Sequence, residues 1–97
     1  MRYRISKEFG RALDKLSGKE LKQALNVLDS VEKADNLLQI GNCKKLVGYE
    51  NVYRIRIGSR RAFFTLHIEV VGELLFFRYL VSRGQAYDKA IEKKLRK

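Results

Sequence analysis

The chain has 97 residues, is 45% hydrophobic and carries a formal net charge of +10. That supplies one compact core but no large enclosed cavity, so a buried small-molecule cofactor is not expected. Cys43 is the only cysteine, which excludes an intramolecular disulfide and a cysteine-based metal site, and no apolar run approaches the roughly 18 residues of a membrane span.

Taken from the N-terminus, Met1-Arg2-Tyr3-Arg4-Ile5 has no apolar run after its basic residues, so no signal peptide is expected, and residues 2–5 are β-prone. Ser6 stands as an N-cap for a helix over Lys7–Leu16, whose Phe9, Ala12, Leu13 and Leu16 follow the spacing of one buried face. Ser17-Gly18 breaks it, and a second helix is predicted from Lys19 to Glu32 with Leu21, Ala24, Leu25, Leu28 and Val31 on its apolar side. Two amphipathic helices joined by a tight turn form a helical hairpin. Residues 33–42 read as loop, with Asp35 capping a short turn before Gly41.

After Gly48 the hydrophobic period falls from about 3.6 to about 2. Val52–Ile57, Ala62–Val70 and Leu74–Val81 read as three strands joined by short turns, an antiparallel meander. From Tyr87 to Lys97 helical spacing returns through Tyr87, Ile91 and Leu95. The expected fold class is therefore α+β, a single domain over residues 1–97. An N-terminal strand and a helical hairpin pack on an antiparallel meander, and a short C-terminal helix closes the chain.

Charge is uneven along this order. Residues 1–40 hold eight Lys/Arg against six Asp/Glu, whereas residues 41–97 hold thirteen against five. Such asymmetry points to an acidic partner, nucleic acid above all. Strand alternation then sorts the meander into two faces. Tyr53, Ile55, Ile57, Ala62, Phe64, Leu66, Ile68, Leu75, Phe77, Tyr79 and Val81 share the apolar face. Arg54, Arg56, Arg61, Phe63, Thr65, His67, Phe76 and Arg78 share the other. No Asp or Glu occurs between Asn51 and Thr65 to neutralise Arg54, Arg56, Arg60 and Arg61. Arginines among aromatic rings suit single-stranded RNA, because guanidinium forks bind phosphates and rings stack on splayed bases. No paired carboxylates, His-based metal motif or glycine-rich phosphate loop accompanies them. Arg83-Gly84-Gln85-Ala86-Tyr87 adds a cation and a phenol at the edge of this face.

The order of strand, hairpin and sheet resembles the RelE/ParE superfamily of bacterial toxin–antitoxin modules. So do the run Lys44-Lys45-Leu46-Val47-Gly48…Tyr53-Arg54-Ile55-Arg56-Ile57-Gly58…Arg61 and the closing Arg83-x-x-x-Tyr87. The likeness covers nearly the whole chain. It implies a cytoplasmic toxin, a metal-independent endoribonuclease that enters the ribosomal A site and cuts mRNA, with ribosomal RNA as a further contact. It also implies a cognate antitoxin that wraps the toxin and blocks its basic face. Carried over residue by residue, it assigns catalytic roles to Arg54, Arg56, Arg61, Arg83 and Tyr87, and RNA contact to Lys44, Lys45, Arg60, Phe63 and Arg78. Relatives often carry lysine where this chain has Arg54 and Arg56, and histidine where it has Ser82. Arginine stays protonated, so the general base is left open among Glu50, His67 and Tyr87. Two other readings stay open: a ParE-like inhibitor of DNA gyrase, and a non-catalytic antitoxin-binding module.

Overall fold

The computed structural model describes residues 1–87 and 89–95, with Tyr87 described by its backbone alone. Its elements run β1 (Arg2–Ile5), α1 (Lys7–Asp14), α2 (Gly18–Lys33), β2 (Cys43–Lys45), β3 (Val52–Ile57), β4 (Arg60–Glu69), β5 (Gly72–Ser82) and α3 (Lys89–Leu95). Short 3-10 turns cover Leu37–Gln39 and Gln85–Tyr87. The α+β expectation holds, with the strands in one five-stranded sheet of order β1-β5-β4-β3-β2.

The sheet is mixed rather than purely antiparallel. β1 runs parallel to β5, because the helical hairpin carries the chain across one face before the meander begins. At the other edge, Cys43, Lys44 and Lys45 pair with Ile55, Arg54 and Tyr53 as a three-residue strand that the sequence pattern did not reveal. Burial at this edge raises the pKa of the half-exposed Cys43 thiol, which disfavours the nucleophilic thiolate.

Both helices follow their sequence signals with small corrections. Ser6 Oγ accepts from the Phe9 N–H at 3.0 Å and so caps α1. In α2, Ala24, Leu28 and Val31 are buried as expected, but Leu25 is 49% exposed, and Val27 packs on the core instead. Asp35 does not cap the following turn. Asn36 does, its Oδ1 accepting from the Leu38 N–H at 2.9 Å. The Met1 ammonium donates to the carbonyls of Val31, Glu32 and Ala34 at the C-terminal end of α2, where the helix leaves acceptors unpaired.

The main core lies between the hairpin and the sheet. It joins Phe9, Leu28 and Val31 to Ile55, Ile57, Ala62, Phe64, Leu66, Leu75, Phe77 and Leu80. Tyr53 stacks on Phe64 at 5.2 Å, and Phe64 tilts against Phe77 at the same separation. Ile68, expected on this face, is 83% exposed because β4 runs past the helices towards the hairpin tip.

One irregularity changes the face assignment. Phe63 pairs with Tyr79 while Phe64 pairs with Phe77, so Arg78 is an extra residue in β5. The bulge reverses the alternation beyond it. Leu80 enters the main core, and Tyr79 and Val81, expected there, pack on the opposite side. Ser6 stabilises the bulge, since its hydroxyl donates to the Arg78 carbonyl at 2.7 Å while its N–H donates to the Phe77 carbonyl at 2.9 Å.

Candidate nucleic-acid interface

Strand register settles which basic residues meet. Lys44, Arg54 and Phe63 lie in one line across β2, β3 and β4, and Arg56 faces Arg61 one pleat away. The tight β3–β4 turn is possible because Gly58 has φ 58° and no side chain; a Cβ there would stand 2.8 Å from Gln23 Oε1 on α2. The end of β5 returns to this turn, where the Arg83 N–H donates to the Ser59 carbonyl at 2.9 Å. Three segments thereby converge.

Arg56, Arg61 and Arg83, with Asn42, Gly58 and Ser59, line an open depression of about 490 Å³. No carboxylate belongs to this lining. Arg61 is only 8% exposed, and its Nη1 donates to the carbonyls of Gly58 at 3.1 Å and Arg60 at 2.9 Å. Those bonds fix the guanidinium against the turn and leave the rest of its donor fork for a ligand. Arg56 is exposed; its N–H donates to the Asn42 carbonyl, and its Nη2 makes a long 3.4 Å contact with Asn42 Oδ1. Asn42 adopts the left-handed conformation, φ 58°, which asparagine tolerates well. The sequence pattern missed Asn42, and an asparagine next to Gly41 before a basic strand was the signal that it carried.

Several predicted contacts lie elsewhere. Arg60 has the parity of the core-facing residues and pairs with Glu20 of α2 at 2.7 Å, so a carboxylate forty residues away does neutralise one of the four arginines. Lys45 sits in register with Tyr53 and therefore points to the side opposite Lys44. Phe63 is 2% exposed and packs with Val52 beneath Ile91 and Leu95 of α3, so its ring is closed to a base. Arg78 occupies the bulge, 5.9 Å from the Phe76 ring and 5.7 Å from that of Tyr79. Tyr87 ends a 3-10 turn just beyond Arg83, and its side chain lies outside the described residues.

Two of the three candidate bases, His67 and Glu50, are separated from the rim. His67 lies six residues along β4 from Arg61, roughly 20 Å at the rise of a strand, and Thr65 Oγ1 is 2.8 Å from its Nε2. Glu50 is exposed in the turn before β3, next to Asn51, whose carbonyl accepts from the Leu66 N–H at that same far end. Among the described residues, no group of three or more His, Cys, Asp or Glu side chains is gathered as for a metal ion. Nor, among them, is any helix long and apolar enough to cross a membrane.

No protein-family model matches the chain. Over 89 residues it is 30% identical to Toxin RelE3 of Methanocaldococcus jannaschii, an alignment covering 91% of this chain and 97% of that protein. The fold is similar to that of the RelB–RelE antitoxin–toxin complex from Methanococcus jannaschii, with a TM-score of 0.71 and 25% identity, covering 88% of this chain and 95% of that one. It also resembles the archaeal RelE–RelB complex from Pyrococcus horikoshii OT3, with a TM-score of 0.67 and 23% identity over 87% of this chain and 96% of that one. The intact E. coli RelBE toxin–antitoxin complex matches with a TM-score of 0.62 and 17% identity over 84% of this chain and 94% of that one.

Proposed function

The chain belongs to the RelE family of toxins of toxin–antitoxin modules, and we propose that it is a cytoplasmic, ribosome-dependent endoribonuclease that cuts mRNA through its arginine rim. The observation that carries this reading is the convergence of Arg56, Arg61 and Arg83 from separate segments around one depression whose lining contains no carboxylate. Like charges so placed repel one another, and fold stability gives no reason to gather them. A phosphodiester removes that repulsion.

In the proposed reaction the substrate supplies its own nucleophile. The ribose 2′-oxygen bonds to phosphorus, the bond from phosphorus to the 5′-oxygen breaks, and the products are a 2′,3′-cyclic phosphate and a 5′-hydroxyl. The 2′-proton passes to a base, and a proton is delivered to the leaving 5′-oxygen. Negative charge accumulates on the phosphoryl oxygens in the transition state. Guanidinium donors held in advance stabilise it most, and Arg61 is so held by two turn carbonyls. This charge stabilisation requires no metal ion. Arg54, in line with Lys44, extends the cationic surface along the RNA backbone, and Tyr87 is assigned to position the 2′-hydroxyl or stack on a base.

His67 and Glu50 are too far along the sheet to serve the rim, and arginine is a poor base. Tyr87, in the turn just beyond Arg83, is the candidate base left beside the rim, and the A site of the ribosome, with its ribosomal RNA, is assigned to complete the proton transfer. The relatives solved as RelB–RelE complexes support a cognate antitoxin as the second partner, and the basic face is the surface we assign to it.

The test is cleavage of a translated reporter mRNA in a ribosome-containing extract, mapped by primer extension, for the wild type, Arg56→Ala and Arg83→Ala. Each variant should lose a factor of about 10²–10³ in rate, as for a missing oxyanion-hole donor. Undiminished cleavage by both would sink the assignment. Intact mRNA accompanied by double-strand breaks in DNA would indicate a gyrase poison instead.

A further inference from the structure

A second cluster lies on the same sheet face, at the end away from the rim. Phe76 is half-buried in β5 and belongs to neither apolar cluster, so packing does not account for it. Register places Arg4 of β1 on one side of it and Thr65 of β4 on the other. The Arg78 guanidinium, at the bulge, stands over the ring with its carbon 5.9 Å from the centroid, near the outer limit of a cation–π contact. The His67 ring is 6.4 Å away and tilted by 52°.

Phe76, Arg4, His67, Glu69 and Leu74 line an open depression of about 190 Å³. Pockets that enclose a small molecule run to roughly 300–1,000 Å³, so this one suits a flat group laid against the ring. Its single carboxylate, Glu69, is paired with Arg2. Among the described residues neither Arg4 nor Arg78 has a carboxylate partner. An accessible aromatic ring between two such cations has the chemistry that holds a single-stranded nucleotide, with base on ring and phosphate on guanidinium.

We propose that this cluster is a second RNA subsite, in which a nucleobase stacks on Phe76 while Arg4 and Arg78 hold the adjacent phosphates. The proposal rests on RNA being the substrate of the rim. Thr65 lies four residues along β4 from Arg61, roughly 13 Å, and because α3 covers Phe63 between them a strand that reaches both must pass around that helix. Thr65 and His67 add polar edges beside the stacked base. The subsite accounts for aromatic and basic residues that the rim chemistry does not use.

A single-stranded 2′-O-methyl RNA of about 12 nucleotides, within the span that such surfaces cover, binds without being cleaved by 2′-attack. Labelled with fluorescein and an internal 2-aminopurine, it reports affinity by anisotropy and stacking by quenching. Phe76→Leu keeps the apolar volume and should abolish the quenching and weaken binding roughly fivefold or more, the scale of one lost stacked base. Arg4→Ala should weaken binding and lower the salt dependence by about one phosphate contact. Arg83→Ala should weaken binding yet retain the quenching.

If Phe76→Leu binds and quenches as the wild type does while Arg83→Ala weakens, the second subsite is overturned and the rim reading stands. Equal weakening of RNA and heparin binding by Arg4→Ala, with Phe76→Leu unaffected, also overturns it, since charge alone would explain the surface. An RNA left unbound by the wild type overturns the subsite and removes support from the rim. Cleavage undiminished by Arg56→Ala and Arg83→Ala, with quenching that depends on Phe76, would overturn the rim reading alone.

Discussion

The two faces of the sheet use similar residue types for different purposes. On the hairpin side, Phe9, Phe64 and Phe77 interlock in one continuous core, with Phe9–Phe77 and Phe64–Phe77 centroids 5.4 and 5.2 Å apart. On the other side, among the described residues, Val52, Phe63, Ile91 and Leu95 form a smaller buried cluster, and α3 covers the middle of the face. The arginine rim and the Phe76 cluster lie on either side of that patch. Aromatic rings therefore stabilise the fold on one face and are offered to a ligand on part of the other. Substitutions on the first face should register as loss of fold, and those on the second as loss of activity.

The sharpest test of this division is Phe77→Ala. Phe77 is fully buried, and its loss should cost about 3–5 kcal/mol, a large share of the roughly 5–15 kcal/mol that holds a domain together. Urea denaturation measures it. A loss below about 1 kcal/mol would show that the hairpin face is not where stability resides. Arg83→Ala, on the other face, should cost about 2.7–4 kcal/mol of transition-state stabilisation and leave the urea midpoint almost unchanged. A large fall in midpoint would make Arg83 a structural residue and blur the division.

Ser6→Ala tests the join between the faces. It removes the N-cap acceptor of α1 and the hydroxyl donor to the bulge carbonyl of Arg78, so about 1–2 kcal/mol of stability should be lost. Because the bulge sets where Arg78 stands, 2-aminopurine quenching at Phe76 should fall in the same variant. Unchanged stability would mean that neither bond holds the bulge. The smallest effect belongs to Glu20→Gln. The Glu20–Arg60 pair is half-exposed, so thermal unfolding should register a change of at most about 1 kcal/mol, and mRNA cleavage should stay unaltered, since Arg60 is on the hairpin side. Reduced cleavage would return Arg60 to the RNA-contacting set.

Much of this division was readable in the linear pattern, and its failures have physical causes. The period of Phe9 and Leu16, and of Ala24, Leu28 and Val31, located both helices, because helical spacing is a local property. Strand alternation placed Arg54, Arg56 and Arg61 together and Ile55, Ala62 and Phe64 opposite. The same alternation misplaced Tyr79 and Val81, since one inserted residue at Arg78 reverses every side chain after it. β2 escaped notice because three residues are too few to display a period. Phe63 looked like a stacking ring, and only the seating of Ile91 and Leu95 over it closes that face.

The sequence by itself determined the fold class, the helical hairpin, the three long strands and the concentration of arginines near the β3–β4 turn. All of these follow from spacing and composition within short windows. Only the tertiary structure decided that β1 lies parallel beside β5, that Glu20 claims Arg60, that Asn42 joins the arginines at the rim, and that Phe76 is left outside both apolar clusters. Those outcomes depend on partners tens of residues apart. Strand register, one bulge and the placement of α3 bring them together, and no short window of sequence encodes them.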